Sequence, residues 1–192
     1  MPPKFRSLQH LALKVRDIKK SLKFYCDILG FKTTEGHRLD EEKGYQDSNN
    51  FITCSNKHHV INLVQISNEH KPQKTGTPSN SRDTPVYGLH HFAFEVENKI
   101  EFEKWKKHLI DNKVKIVKGP LVHSPTHPEG DGSWGENRAL YFCDPDGNAI
   151  EIFCDMADIN FKNHEIDDQW FRQRIEKDGF DPTKISKPNL NA

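Results

Sequence analysis

Glu151 is the first residue that asks for a chemical explanation. It stands in Ala149–Phe153, AIEIF, a run that is otherwise apolar. A carboxylate in such a run is costly unless it is paired or bound to a metal. The turn Asp144-Pro145-Asp146-Gly147 comes just before it, with Pro suited to one fixed backbone angle and Gly to a positive one. Runs rich in β-branched and aromatic residues flank the turn, which predicts a β-hairpin. Tyr141 and Glu151 then lie at even separation and project from one face of the sheet. Leu140, Phe142, Ile150 and Ile152 take the other.

Partners for Glu151 come from an internal repeat. Leu8–Val15, LQHLALKV, matches Leu89–Val96, LHHFAFEV, and CSNKHHVINL matches CDPDGNAIEI. Each half reads strand–helix–strand–strand–strand. The alignment puts His91, Ala93 and Glu95 on the face that His10, Ala12 and Lys14 occupy in the first half, and turns His90 away. The first-half counterpart of Glu151 is Asn62, a far poorer ligand for a divalent ion. Two imidazoles and one carboxylate with open positions opposite form the facial triad of non-haem Fe(II) oxygenases. His10, His91 and Glu151 are therefore the predicted metal ligands. A lone strand histidine is more often a hydrogen-bonded core residue, and it is the equivalent phases in a duplicated motif that favour ligation.

The elements that must position these residues follow from patterning. Asp17 caps a helix with the stripe Ile18, Leu22, Tyr25 and Leu29, ended by Gly30. Asn98 caps a second, carrying Ile100, Phe102, Trp105 and Leu109. Val114–Val117 is a strand, followed by the long loop GPLVHSPTHPEGDGSWGEN, in which Pro125 and Trp134 would give a pocket cover apolar weight. The fold class is α+β: two tandem βαβββ modules forming a half-open mixed β-barrel around a metal site, helices outside. The modules span 1–66 and 88–156, joined by a Pro/Ser/Asn-rich connector over 67–87. A tail over 157–192 contains an amphipathic helix around Ile166–Ile175, with Gly179–Ala192 loose.

Composition excludes other classes. The 192 residues hold 28 basic and 28 acidic side chains, so the general electrostatic case for nucleic acid is absent. No apolar run suits a membrane span, and MPPKFRSLQ lacks a signal-peptide core. The four cysteines form no CxxC pair and read as reduced thiols of a cytoplasmic protein.

The stretch YFCDPDGNAIEIF resembles the vicinal oxygen chelate superfamily, which includes glyoxalase I, fosfomycin-resistance transferases, bleomycin-resistance proteins and extradiol ring-cleavage dioxygenases. The resemblance covers Leu8–Asp155, and Asn62 argues against a four-ligand glyoxalase I. FITCSNKHHVINL is similar to the one-domain type I extradiol enzymes, which carry a His-His pair after such a turn. That resemblance implies an Fe(II) enzyme (Mn, Ni or Zn as alternatives) cleaving a catechol-type diol with O2. His59 would be the acid–base residue, with His58 able to exchange roles, and Tyr141 would hydrogen-bond the substrate. The family places another cavity histidine where this chain has Gly132; His123 or His127 is the candidate replacement, with Trp134 at the substrate. The alternatives are a glyoxalase-like lyase, a fosfomycin-type thiol transferase, or a metal-free small-ligand binder. A homodimer is implied by the superfamily alone, and ligands could be swapped between chains.

Overall fold

A computed structural model describes residues 7–36, 49–65, 89–160 and 162–190. The predicted connector and most of the polar stretch after Glu35 lie outside the described residues. The chain divides into two compact units, Met1–Thr75 with Asp144–Gly147, and Gly76–Cys143 with Asn148–Ala192.

In the first unit, β1 (Leu11–Val15) leads to α1 (Ile18–Leu22), then β2 (Lys32–Gly36), β3 (Asn49–Thr53) and β4 (Ile61–Gln65). The sheet order is β1-β4-β3-β2, with β1 parallel to β4 and the remaining pairs antiparallel. The Asp17 side chain accepts from Lys20 N–H and caps α1, as its position before the apolar stripe predicts. The helix continues as a π-helical turn, Lys23–Ile28. That widening buries Phe24 as well as Tyr25, so the apolar stripe is broader than a regular period allows. The Asp144–Gly147 turn packs on this helix. Tyr25 donates to Asp144 at 2.9 Å, and Arg16 Nε to Asp146 at 2.7 Å.

The second unit repeats the order: β5 (Phe92–Glu95), α2 (Lys99–Asp111), β6 (Ile116–His123), β7 (Asn137–Cys143) and β8 (Ala149–Cys154). Its sheet runs β5-β8-β7-β6, again with the first pair parallel. Asn98 caps α2 through Ile100 and Glu101 N–H, and Phe102 and Leu109 are fully buried. β7 and β8 are buried along nearly their whole length. The architecture is thus mixed α+β, with two separate four-stranded sheets.

Two expectations need correction. The strand after α2 does not stop at Val117 but runs to His123, because register shifts around Lys118 absorb Gly119 and Pro120. Gly119 is required there: a Cβ would meet Ala139 O at 2.7 Å. The tail is not loose after Gly179. Beyond the short pair β9 (Ile159–Asn160) and β10 (Glu165–Ile166), α3 (Asp168–Lys177) buries Phe171 and Ile175, and Phe180, Ile185 and Leu190 pack against them. These apolar side chains, spaced too irregularly to read as a periodic element, supply the burial that orders the segment. Among the described residues, no helix is long and apolar enough to cross a membrane.

Candidate functional site

In the second unit the β7–β8 register sets Tyr141 directly opposite Glu151. Ala93 pairs with Glu151 on the other side, which places His91, two residues before Ala93, near the same carboxylate. The His91 Nε2 lies 2.9 Å from Glu151 Oε2, while His90 meets His91 through the Nδ1 atoms, 2.6 Å apart. Glu151 is 4% exposed. Its other oxygen accepts a long hydrogen bond, 3.4 Å, from Asn137 Nδ2. Tyr141 meets the His91 ring edge-on at 5.4 Å, with Lys118 Nζ 5.6 Å from its ring centre. Burial, and then the charge and hydrogen bonding of Glu151, push the Tyr141 phenol well above its ordinary range.

His123, at the end of β6, reaches the same tyrosine: its Nε2 is 3.0 Å from the Tyr141 oxygen. The opposite nitrogen faces Ser133 Oγ at 2.6 Å and Asp131 Oδ2 at 3.0 Å. Gly132, where a cavity histidine was missed, lies between those two partners with φ +80°, a conformation side-chain-bearing residues rarely adopt. Asp131 and Ser133 were not singled out from sequence. Their Asp-x-Ser spacing, in which Asp131 Oδ1 accepts Ser133 N–H at 2.9 Å, is the signal that could have found them.

The other histidine of that loop is elsewhere. His127 Nδ1 accepts Glu129 N–H at 3.0 Å, so its Nε2 carries the proton and faces Asp178 Oδ2 at 3.1 Å. Burial, with Arg174 nearby, holds this imidazole below its usual pKa. The ligand atoms of His127, Glu129 and Asp178 lie within 4.8 Å of one another. Their carboxylates are already engaged, however: Asp178 by Lys99 at 2.6 Å and Arg138 at 2.8 Å, and Glu129 by Arg138 at 3.2 Å. A metal there would have to displace two fixed cations. Arg174 and Glu136 form a second buried pair at 2.8 Å. These bridges join the 124–136 loop and β7 to α3, pinning the loop at its middle and its end. The long sequence separations hid them. Trp134, on the same loop, is 60% exposed.

In the first unit, the His10 and His59 rings lie 4.6 Å apart between centres and tilted by 55°, and the His59 ring lies 4.8 Å from that of Phe51. His58 Nδ1 is 3.0 Å from His59 Nδ1, and its Nε2 is 3.5 Å from Glu35. Partial burial, then the nearby His10 and His58, lower the His59 pKa. Phe51 pairs with Asn62 across the sheet, and Asn62 Oδ1 is buried without a hydrogen-bond partner.

The donor set at Glu151 fits a divalent cation. An imidazole nitrogen meets a buried carboxylate oxygen, and among the described residues Glu151 has contacts with His91, Asn137 and Tyr141 but no ion pair to a Lys or Arg.

Comparison with known proteins shows the family. Over 143 residues the chain is 28% identical to catechol-2,3-dioxygenase of Bacillus subtilis, covering 74% of this chain but only 39% of that protein. It is 29% identical over 147 residues to the metallothiol transferase FosB of Staphylococcus saprophyticus, 77% of this chain and 76% of the relative. A bleomycin resistance protein of Staphylococcus aureus is 32% identical over 144 residues, 74% and 92% of the two chains. The crystal structure of the fosfomycin resistance protein FosX from Listeria monocytogenes shares the fold, with TM-score 0.54 at 17% identity over 78% of this chain and 93% of that one. A family model matches residues 7–152, covering both sheets, and the chain therefore belongs to the Glyoxalase/Bleomycin resistance protein/Dioxygenase superfamily.

Proposed function

We propose that the chain is an Fe(II)-dependent extradiol dioxygenase that opens the ring of a catechol-type diol with O2. His10, His91 and Glu151 would hold the ion, within one chain or between two copies. The observation that carries this reading is the cluster at Glu151: a buried carboxylate with His91 at 2.9 Å and Tyr141 opposite it in register, and an amide, Asn62, at the repeat-equivalent position. His10 stands two residues before Ala12, the partner of Asn62, as His91 stands before Ala93, the partner of Glu151. Three ligands leave room for a diol and O2, where four would not. When bound, the ferrous ion supplies the redox chemistry that couples ring opening to dioxygen.

The remaining roles belong to the chain. His59, neutral at pH 7 because its pKa is lowered, accepts a catechol proton; His58 beside it can take the same part. Tyr141 stays protonated and hydrogen-bonds a substrate oxygen. His123 supports Tyr141 from behind, and exposed Trp134 offers an apolar surface to the ring. His127, buried beside Asp178, is assigned no contact with substrate.

The test is anaerobic loading with Fe(II), then oxygen uptake with a panel of substituted catechols. Uptake with formation of a yellow ring-opened product is expected. An iron-loaded protein that consumes no oxygen with any catechol would sink the assignment. The similarity to the metallothiol transferase favours a second reading, a metal-dependent thiol transferase or lyase using Mn, Ni or Zn. That enzyme would not consume oxygen and would keep its activity in His59→Gln. A bleomycin-type binder would need no metal at all.

A further inference from the structure

The phenol proton of Tyr141 has two acceptors within reach, Glu151 and His123 Nε2. Which one takes it depends on the far side of the imidazole. Ser133 has one hydroxyl proton, and Asp131 Oδ1 accepts it at 2.6 Å. With that proton committed, the Ser133 oxygen, 2.6 Å from His123 Nδ1, and Asp131 Oδ2, 3.0 Å from it, are both acceptors. Nδ1 must therefore carry hydrogen, and in the neutral ring Nε2 is left bare. The surroundings hold this arrangement in place. Asp131 also accepts Ser133 N–H, and Gly135 comes so close that a Cβ there would sit 3.0 Å from the His123 Cβ.

We propose that Asp131 and Ser133 are positioning residues that lock His123 as the Nδ1–H tautomer, so that Tyr141 donates to His123 and turns its lone pairs toward the pocket beside Glu151. Tyr141 then acts on a bound ligand as an acceptor. A ligand bringing its own hydroxyl, as a catechol does, matches that acceptor. A ligand with acceptor oxygens alone, such as a phosphonate, meets lone pair against lone pair. The substrate-class consequence rests on the Glu151 centre being the substrate site; the tautomer does not.

Nitrogen-15 NMR of the imidazoles in the metal-free 192-residue chain at neutral pH reads the tautomer, with His123→Gln identifying the signal. The expected spectrum has Nδ1 protonated and Nε2 bare. Ser133→Ala, which keeps the carboxylate, is expected to retain Nδ1–H. Adding Asp131→Asn to Ser133→Ala removes both acceptors, can present an amide N–H to the ring and is expected to tip His123 to the Nε2–H form. Nε2–H in the wild type, or a tautomer unchanged in that double variant, overturns the proposal. Should the double variant fail to fold, the wild-type spectrum decides alone. A correct tautomer in an iron-loaded protein that never consumes oxygen with a catechol would count against the dioxygenase reading and leave the lock standing.

Discussion

The two sheets are the same frame with different chemistry mounted on it. In the first, Asn62 lies between Ala12 and Phe51; in the second, Glu151 lies between Ala93 and Tyr141. Where one copy has a carboxylate and a phenol, the other has an amide and a bare ring at the equivalent positions. The difference extends outward. The His123–Asp131 bridge and the Arg174–Glu136 and Asp178 pairs brace the second unit from its own loop and helix, whereas in the first His10 and His58 are exposed and His59 is half-buried. Among the described residues, the second unit carries the buried carboxylate and the buried ion pairs on a frame whose strand order the first unit shares.

The largest break in this comparison should come from the bracing. Burial pushes the Glu136 carboxyl up and the Arg174 guanidinium down, so the pair is held against a desolvation cost. Arg174→Met leaves a buried charge alone and should cost about 3–5 kcal/mol in urea unfolding. Arg16→Met removes the Arg16–Asp146 pair of the first unit, whose arginine is open to solvent while its aspartate is not, and should shift the urea midpoint less than Arg174→Met. Next in size, Glu151→Asn gives the second unit the side chain of the first. Metal affinity, read by competition with a chromophoric chelator, should fall roughly 100-fold or more, and unchanged affinity would remove Glu151 from the ligand set. Tyr141→Phe copies Phe51 and should lower turnover by roughly 10- to 100-fold, the worth of one charge-assisted hydrogen bond, with metal retained.

Smaller still is the effect of His127 on pH dependence. Its folded pKa lies below the unfolded value of about 6.5. The unfolded chain therefore binds the extra proton first, and the contribution is present above that pH and lost as pH falls through it toward the folded value. His127→Gln should flatten the urea midpoint against pH below about 6.5. The facing charges, Asp178, Glu129, Arg138 and Arg174, are unaltered in that variant. Asn62→Ala should do least: its buried oxygen has no partner to lose, and metal affinity should stay within about threefold.

Local patterning carried much of the fold. Asp17 and Asn98 announce their helices because capping is written in one side chain and the residues just after it. The pairing of Tyr141 with Glu151 follows from a hairpin turn and a period of two. The repeat singled out His91 over His90, a choice that propensity alone could not make. What was illegible lies in contacts across long separations and in loop backbone. No spacing joins Arg138 to Asp178, so His127 looked free to serve the site. His123 and His127 looked alike until the strand end was located, and that end was obscured because Gly119 and Pro120 read as strand breakers. The π-helical turn at Lys23–Ile28 likewise left no pattern that a regular helical period would reveal.

Asp178 grips Lys99, Arg138 and the loop carrying His127, yet it follows every strand of the candidate site in the chain. A ribosome delivers it after both sheets have already emerged. Maturation of the pocket therefore ends with a step that the sheets cannot take by themselves. Until Asp178 arrives, Arg138 and Lys99 lack their shared carboxylate, and the loop bearing Asp131 and Ser133 is tied to α3 through Glu136 and Arg174 alone among these pairs.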